Sequence, residues 1–232
     1  MLSKFGDLVE AVLRDTTLER LRISSLGVEF LSDRVIEYFS NPRINAYAHL
    51  SIQSGSSDIL RAMNRHYDGE QVRDVLQKLR NIERTDGTRV NIWADLIVGF
   101  PGETDRDFAD TLEIVEKYAI TQLHAFPFSP HIDHYSVPAG SYKDQVPNHI
   151  AQSRLKALQK MGDTVYRNYA WAHIDTELAV LIEKTSPTWW YSGWSQNYLA
   201  CDESNFIPHE WQKIARGLVV RGIYRGSKPT NE

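Results

Sequence analysis

The 232-residue chain has a single cysteine, Cys201. One thiol closes no internal disulfide, which fits a reducing compartment. Nor can it by itself hold an iron–sulfur cluster, which takes several thiolates. No stretch approaches the ~20 continuous apolar residues of a membrane helix. Residues 1–10 also lack the apolar core of a secretory signal. The expectation is a cytoplasmic protein with no membrane partner. An excess of basic charge is missing too. With a formal net charge of −4, nucleic acid can be held only by a local patch, not by bulk attraction. Internal repeats and low-complexity tracts are absent. What remains, 42% hydrophobic and 24% charged residues, is ordinary for a globular chain with one good core and room for a small second domain.

Periodicity organises the first half into alternating elements. After a helical stretch at 8–18, a short strand is expected at 21–25 and a helix at 33–39. A strand at 46–53 follows, then a short helix with Ile59, Leu60 and Met63 and a longer one at 69–82. In the longer helix Val72, Val75, Leu76, Leu79 and Ile82 recur at helical spacing, and Asp68 with Gln71 forms a capping-box pair. The strand at 90–99 and the helix at 105–118 repeat the plan, with Phe108, Leu112 and Val115 on one face, and 123–129 is the last strand. Strands alternating with helices of this length predict an α/β fold with a parallel sheet and right-handed crossovers. Residues 130–147 read as a long loop rich in His, Pro, Gly and Ser, followed by a helix at 150–172. Beyond Asp175 come short strands at 178–182, 189–198 and 217–224. Gly193, Gly217, Gly222 and Gly226 punctuate them, predicting a small β-barrel.

In parallel α/β folds ligands gather at the C-terminal ends of strands. Those ends carry Ser24 and Ser25, Gln53 and Ser54, Gly99 to Glu103, and Phe128 with Ser129. Hydroxyls, an amide and exposed backbone converging on one rim suit a nucleoside with an amino-acid tail. A bland reading stands beside this one, because any strand-to-helix turn favours Gly, Ser and Thr.

The segments that supply these ends resemble a known family. Arg22-Ile23-Ser24-Ser25 opens the series. His49-Leu50-Ser51-Ile52-Gln53-Ser54-Gly55-Ser56 follows, with Leu60, Met63, Asn64, Arg65 and Tyr67 behind it. Next are Asp95-Leu96-Ile97-Val98-Gly99-Phe100-Pro101-Gly102-Glu103-Thr104 and Leu123-His124-Ala125-Phe126-Pro127-Phe128-Ser129-Pro130, and last Gln145-Val146-Pro147. In order and over nearly the whole chain, they are similar to the motifs of the radical S-adenosylmethionine (SAM) methylthiotransferases. Leu50-Ser51-Ile52 before Gln53 and Met63-Asn64-Arg65 look most like the threonylcarbamoyladenosine tRNA subfamily.

The resemblance implies reductive cleavage of S-adenosylmethionine, two 4Fe-4S clusters in the complete enzyme, and methylthio insertion at a modified adenosine beside the anticodon of tRNA. The family's N-terminal domain and its Cys-x3-Cys-x2-Cys loop have no counterpart here. The expected fold is therefore the second half of a radical SAM partial (β/α)6 barrel at 1–147, its last four βα units. A connecting helix at 148–175 and a small all-β RNA-binding barrel of the TRAM type at 176–232 complete it. Alone, the chain is expected to be inactive and to depend on the missing N-terminal portion or on a partner chain supplying it. A strand edge left open at 21–25 is expected to favour association. The alternative is a truncated, non-catalytic module that binds tRNA or another RNA. A hydrolase or transferase using Glu103 and His124 has no nucleophile motif and is set aside.

By the same resemblance, Ser24 and Ser25 face the bound nucleotide, and Gln53, helped by Ser54, bonds its ribose or methionine tail. Ile97 and Val98 offer backbone groups to the adenine edge, and Gly99 allows close approach. Arg65 either pairs with the methionine carboxylate or is a surface arginine at a helix end. Glu103 reads as structural, in a first helical turn that favours an acid. The family's Arg-x-Gly-Thr is replaced by His131-Ile132-Asp133-His134. With His124 these residues form only a weak metal pattern, and no metal site is assigned. In the C-terminal segment, Tyr191-Ser192-Gly193-Trp194-Ser195-Gln196-Asn197-Tyr198 resembles the TRAM hairpin. From Trp211 to Lys228 there are five basic residues and no acid. Trp194, Asn197, Tyr198, Lys213, Arg216, Arg221 and Arg225 are thus the candidates to hold the tRNA anticodon stem-loop, with the aromatics Trp189, Trp190 and Tyr191 nearby. Basic groups neutralise phosphate and aromatic faces stack on unpaired bases, although about half of these aromatics are expected to be core.

Overall fold

The structure is a computed structural model, and it describes residues 3–129, 143–186 and 190–226. The His131, Asp133 and His134 pattern, Trp189 and Lys228 lie outside the described residues. Three strands form a parallel sheet in the order β1 (Tyr47–Gln53), β2 (Asn91–Val98), β3 (Gln122–Pro127). Before it run α1 (Ser3–Asp15) and α2 (Asp33–Glu37). The crossovers carry α3 (Ser57–Ala62), α4 (Gly69–Arg80) and α5 (Asp105–Lys117). The chain then enters a 24-residue helix, α6 (Asn148–Trp171).

The expected strand at 21–25 is not a strand. The segment touches β1 in parallel at two isolated points, Leu21 with Ile44 and Leu26 with Leu50. Between them Ser25 turns into the left-handed region at φ 58°, which breaks the extension a ladder requires. Among the described residues the sheet therefore has three strands where four are expected, and 21–26 only partly covers the β1 edge.

Alternation along each strand sorts the residues onto two faces. Ala48, Leu50 and Ile52 with Ile92, Ala94, Leu96 and Val98 face the main core, all fully buried among Val72, Leu76, Leu79, Ile114, Val115, Leu158 and Val165 from the helices. The other face is polar and aromatic. Capping fixes where the helices begin. In α4 the Asp68 side chain accepts from Gln71 N at 2.9 Å and Gln71 Oε1 accepts from Asp68 N at 3.0 Å, as its sequence predicts. Thr104 and Asp107 make the same reciprocal pair at α5. Each such cap stabilises its helix by about 1 kcal/mol.

The C-terminal segment is a curled antiparallel sheet. β4 (Glu177–Thr185), β5 (Tyr191–Ser195), β6 (Ala200–Asp202), β7 (Phe206–Pro208) and β8 (Val219–Tyr224) pair in the order β6-β5-β4-β8-β7. Among the described residues its ladders leave β6 and β7 at the two edges. Those two strands are three residues each, too short for a periodic signal, and the sequence reading did not anticipate them. Tyr191, Cys201, Phe206, Val220 and Tyr224 fill its own core.

A seam of aromatic rings joins the two sheets. Tyr47 stacks on Tyr198 at 4.0 Å between centroids, Trp93 meets Trp194 edge-on at 5.9 Å, and Arg22 lies over the Tyr198 ring at 5.0 Å. The Ala46 N–H donates to Gln196 O and Asn91 Nδ2 to Asn197 O. The small sheet thus closes the N-terminal end of the polar face of the large one.

Candidate functional site

At the opposite, C-terminal end the three strands open onto a rim. β1 ends in a bulge: Leu50 pairs with Ala94 but Gln53 pairs with Leu96, so one extra residue sits in β1. Tyr67 OH pins the bulge by donating to the carbonyls of Ser51 and Ile52 at 2.8 and 3.2 Å. Gln53 follows at φ 72°, a conformation that costs a non-glycine residue about 1 kcal/mol. Its side-chain amide is mostly buried yet makes no hydrogen bond among the described residues. Ser24 and Ser25 are exposed and likewise make no side-chain hydrogen bond among the described residues.

The other rim residues are engaged internally. Ser54 is fully buried, 3.4 Å from Thr111 Oγ1, and accepts from Ser56 N. It braces the turn and offers nothing to a ligand. Val98 O accepts from Phe128 N at 2.8 Å, and Gly99 N donates to Glu103 Oε2 at 2.7 Å. Of the backbone groups expected to read an adenine edge at Ile97 and Val98, the Val98 carbonyl is already occupied, and the neighbouring Gly99 amide is taken by Glu103. Gly99 has φ 71°, and a Cβ there would stand 2.6 Å from Ala151 Cβ, so the close approach it permits is to α6. Ile97 is half-buried on the polar face, and Arg65 is exposed in the turn after α3 without an ion pair among the described residues.

Glu103 holds this turn. Its Oε2 also accepts from Arg154 Nη1 at 2.7 Å, and Arg154 reaches on to Asp105 at 2.8 Å. The Glu103 side chain is 1% exposed, and Oε1 has no partner among the described residues. Burial outweighs the arginine and the amide and pushes its carboxyl above the usual range. The structural role read from its sequence position is the one its contacts describe.

Inside the polar face a cluster emerged that sequence reasoning missed. His49 Nε2 lies 2.9 Å from Asp95 Oδ1, His124 Nδ1 lies 3.2 Å from the same oxygen, and Ser51 Oγ donates to Asp95 Oδ2 at 3.0 Å. All lie within the motif segments, but only the strand register, with Asp95 beside His124 and His49 beside Trp93, brings them together. A cleft of about 740 Å³ lies elsewhere, near the ends of α4, α5 and α6, lined by Arg80, Lys117, Tyr118 and His173. It does not reach the strand ends.

Comparison with known proteins turns on these same segments. Residues 1–115 match the Radical SAM superfamily. Over 212 residues, 91% of this chain, it is 35% identical to a threonylcarbamoyladenosine tRNA methylthiotransferase of Thermotoga maritima. The chain is a relative of the radical SAM tRNA methylthiotransferases. A tRNA-2-methylthio-N(6)-dimethylallyladenosine synthase of Rickettsia bellii is 39% identical over 156 residues, 67% of this chain. One from a Nitratiruptor species is 33% identical over 83% of it. The chain spans 45%, 33% and 43% of these three proteins in turn, less than half of each. The coproporphyrinogen III oxidase of Escherichia coli, a radical SAM enzyme, superposes at a TM-score of 0.48 and 15% identity over 97% of this chain and 56% of its own, and this loose likeness carries no argument.

The radical SAM family implies S-adenosylmethionine and 4Fe-4S clusters. The cluster does not fit this chain: Cys201 is buried in the small sheet, and burial pushes its thiol far above the ordinary range. For S-adenosylmethionine, Ser24, Ser25 and Gln53, whose side chains make no hydrogen bond among the described residues, offer compatible polar groups.

The candidate RNA residues divide. Asn197 is fully buried: its Oδ1 accepts from Ser195 Oγ at 2.5 Å, and its Nδ2 bonds Tyr169 OH at 2.8 Å and His173 Nε2 at 2.9 Å. Tyr198 is buried in the seam and Trp194 half-buried beside it. Asn197 and Tyr198 are thus withdrawn from any RNA face, because the hairpin they end is the one that docks on β1 and β2. Lys213, Arg216, Arg221 and Arg225 are exposed. Three of them hold surface ion pairs, Lys213 with Glu210, Arg221 with Glu177 and Arg225 with Asp175. Trp190 and Trp211 expose 42% and 45% of their surface on the same small sheet.

Proposed function

We propose that this chain supplies the substrate-side part of a radical SAM tRNA methylthiotransferase, which adds a methylthio group to a modified adenosine beside the anticodon. Its half of the catalytic barrel offers part of the S-adenosylmethionine pocket, and its curled sheet acts as a TRAM-type RNA-binding module. The observation that carries this reading is the agreement of sequence kinship with geometry: the matched segments bring Gln53 to the rim and exposed Ser24 and Ser25 alongside β1, and none of the three makes a side-chain hydrogen bond among the described residues. Ser24 and Ser25 would face the ribose, Gln53 the ribose or methionine tail, Ile97 the adenine, and Arg65 the methionine carboxylate. Ser54, Val98 and Gly99 shape that pocket without touching the ligand. The bound group supplies a methyl donor and, on reductive cleavage, a hydrogen-abstracting radical. Because the chain has one buried thiol, the electron-delivering cluster must be held by cysteines outside it, on a preceding segment or a separate chain.

Exposed Arg216, with Lys213, Arg221 and Arg225, would neutralise phosphates on the anticodon stem. Surface ion pairs are worth about 0–1 kcal/mol, so exchanging a carboxylate for a phosphate costs little. The lone buried cysteine also favours a second reading, a non-catalytic tRNA-binding module. Equilibrium dialysis with labelled S-adenosylmethionine separates the two. The first reading expects saturable binding, weakened roughly tenfold by Gln53→Ala, about one lost hydrogen bond. Binding of an anticodon stem-loop with no binding of S-adenosylmethionine supports the second.

A further inference from the structure

We propose that His49 Nε2, Asp95 Oδ1 and His124 Nδ1 form a site for one divalent first-row transition-metal ion, with Zn²⁺ as its simplest occupant. The three donor atoms lie within 4.8 Å of one another on three adjacent strands. Ligands about 2.0–2.2 Å from an ion, at angles between octahedral and tetrahedral, stand roughly 2.9–3.5 Å apart. The two donor separations to Asp95 Oδ1, 2.9 and 3.2 Å, fall in that range. Two imidazoles and one carboxylate are a donor set for zinc or non-haem iron, and they leave further coordination positions open. The Asp95 carboxylate is already oriented, since Ser51 Oγ donates to its other oxygen at 3.0 Å and leaves Oδ1 toward the imidazoles.

Exposure grades across the cluster. The side chains of His49, Asp95 and His124 are 10%, 24% and 44% exposed, so the site is closed at β1 and open at β3. Water or a substrate oxygen can complete the coordination from that open side. An independent observation comes from Trp93. Its ring stands edge-on to His124 at 6.1 Å and to His49 at 6.5 Å, and its buried indole N–H has no acceptor among the described residues. This layer therefore holds a donor that the protein leaves unsatisfied, and an ion-bound water would be an acceptor for it. The competing account is a self-satisfied hydrogen-bond cluster, with each imidazole donating one N–H to Asp95. The two differ in whether an ion replaces those protons.

The test is titration of the full, untagged chain with Zn²⁺ by calorimetry and with Co²⁺ by visible absorption. One ion per chain is expected. Asp95→Asn, close in shape to the wild type, and His124→Ala at the exposed end should each weaken binding at least about 100-fold, while Ser51→Ala should weaken it about 10-fold. Circular dichroism confirms that each variant is folded. Absence of a stoichiometric ion, or an affinity unmoved by both Asp95→Asn and His124→Ala, overturns the site.

Discussion

Glu103 and Arg154 show how much of this rim is held by one ion pair. The pair is buried, with side-chain exposures of 1% and 8%, and it ties the turn after β2 to α6 through the Gly99 amide. Removing one partner leaves the other charge uncompensated in the interior, which costs about 3–5 kcal/mol. Glu103→Ala should lower the unfolding free energy by that amount in urea titration, whereas Glu103→Gln, able to accept from the same amide, should lose less. Asn197 carries a similar role in the small sheet. Truncating its side chain takes a partner from Ser195, Tyr169 and His173, while the backbone carbonyl that accepts from Asn91 is kept. Asn197→Ala should destabilise by about 2–3 kcal/mol. If instead it weakened stem-loop binding while leaving stability unchanged, the burial argument would be wrong. Glu103 was legible from its place in a first helical turn. Asn197 was not, because an Asn-Tyr pair after a hairpin reads the same whether it faces RNA or a neighbouring sheet.

Elements with a period of their own were legible. Helices α4 and α5 follow from their apolar spacing and capping pairs, and β2 from its β-branched run. The segment 21–26 was misread because one positive φ at Ser25 is invisible to pattern. Helix α6 ends against the small sheet through His173, whose Nδ1 bonds Tyr169 O at 2.8 Å while Nε2 receives Asn197. Burial lowers the His173 pKa from 6.5. Below that value the unfolded chain binds a proton that the folded chain refuses. Its contribution is therefore complete above pH 6.5 and is lost as the pH falls toward the lower folded value. Melting temperature should fall between about pH 7.5 and about pH 5.5, and His173→Gln should flatten that part of the curve. An unchanged slope would remove His173 from the account.

At the scale of the molecule, the seam of Tyr47, Trp93, Trp194 and Tyr198 decides where the small sheet sits relative to the rim. Aromatic pairs add about 0.5–1.5 kcal/mol each beyond the area they bury. Tyr198→Ala should therefore increase hydrogen exchange across β1, β2 and β5 together. Under the proposed function it should also weaken stem-loop binding only indirectly, by loosening the small sheet against the large one. The seam is not legible in the sequence, since contact between residues some 150 positions apart has no local signal.

The proposed function is a division of labour, with an S-adenosylmethionine rim and an RNA face on this chain and the cluster held by cysteines outside it. The most direct measurement is nucleoside mass spectrometry on tRNA from cells lacking their own methylthiotransferase. The cells would carry this chain alone, or this chain with the cysteine-bearing N-terminal part of a relative. 2-Methylthioadenosine derivatives are expected only when both are present, and are expected to be lost with Gln53→Ala. Methylthio product from this chain alone would contradict it, as would none from both parts once they are shown to associate.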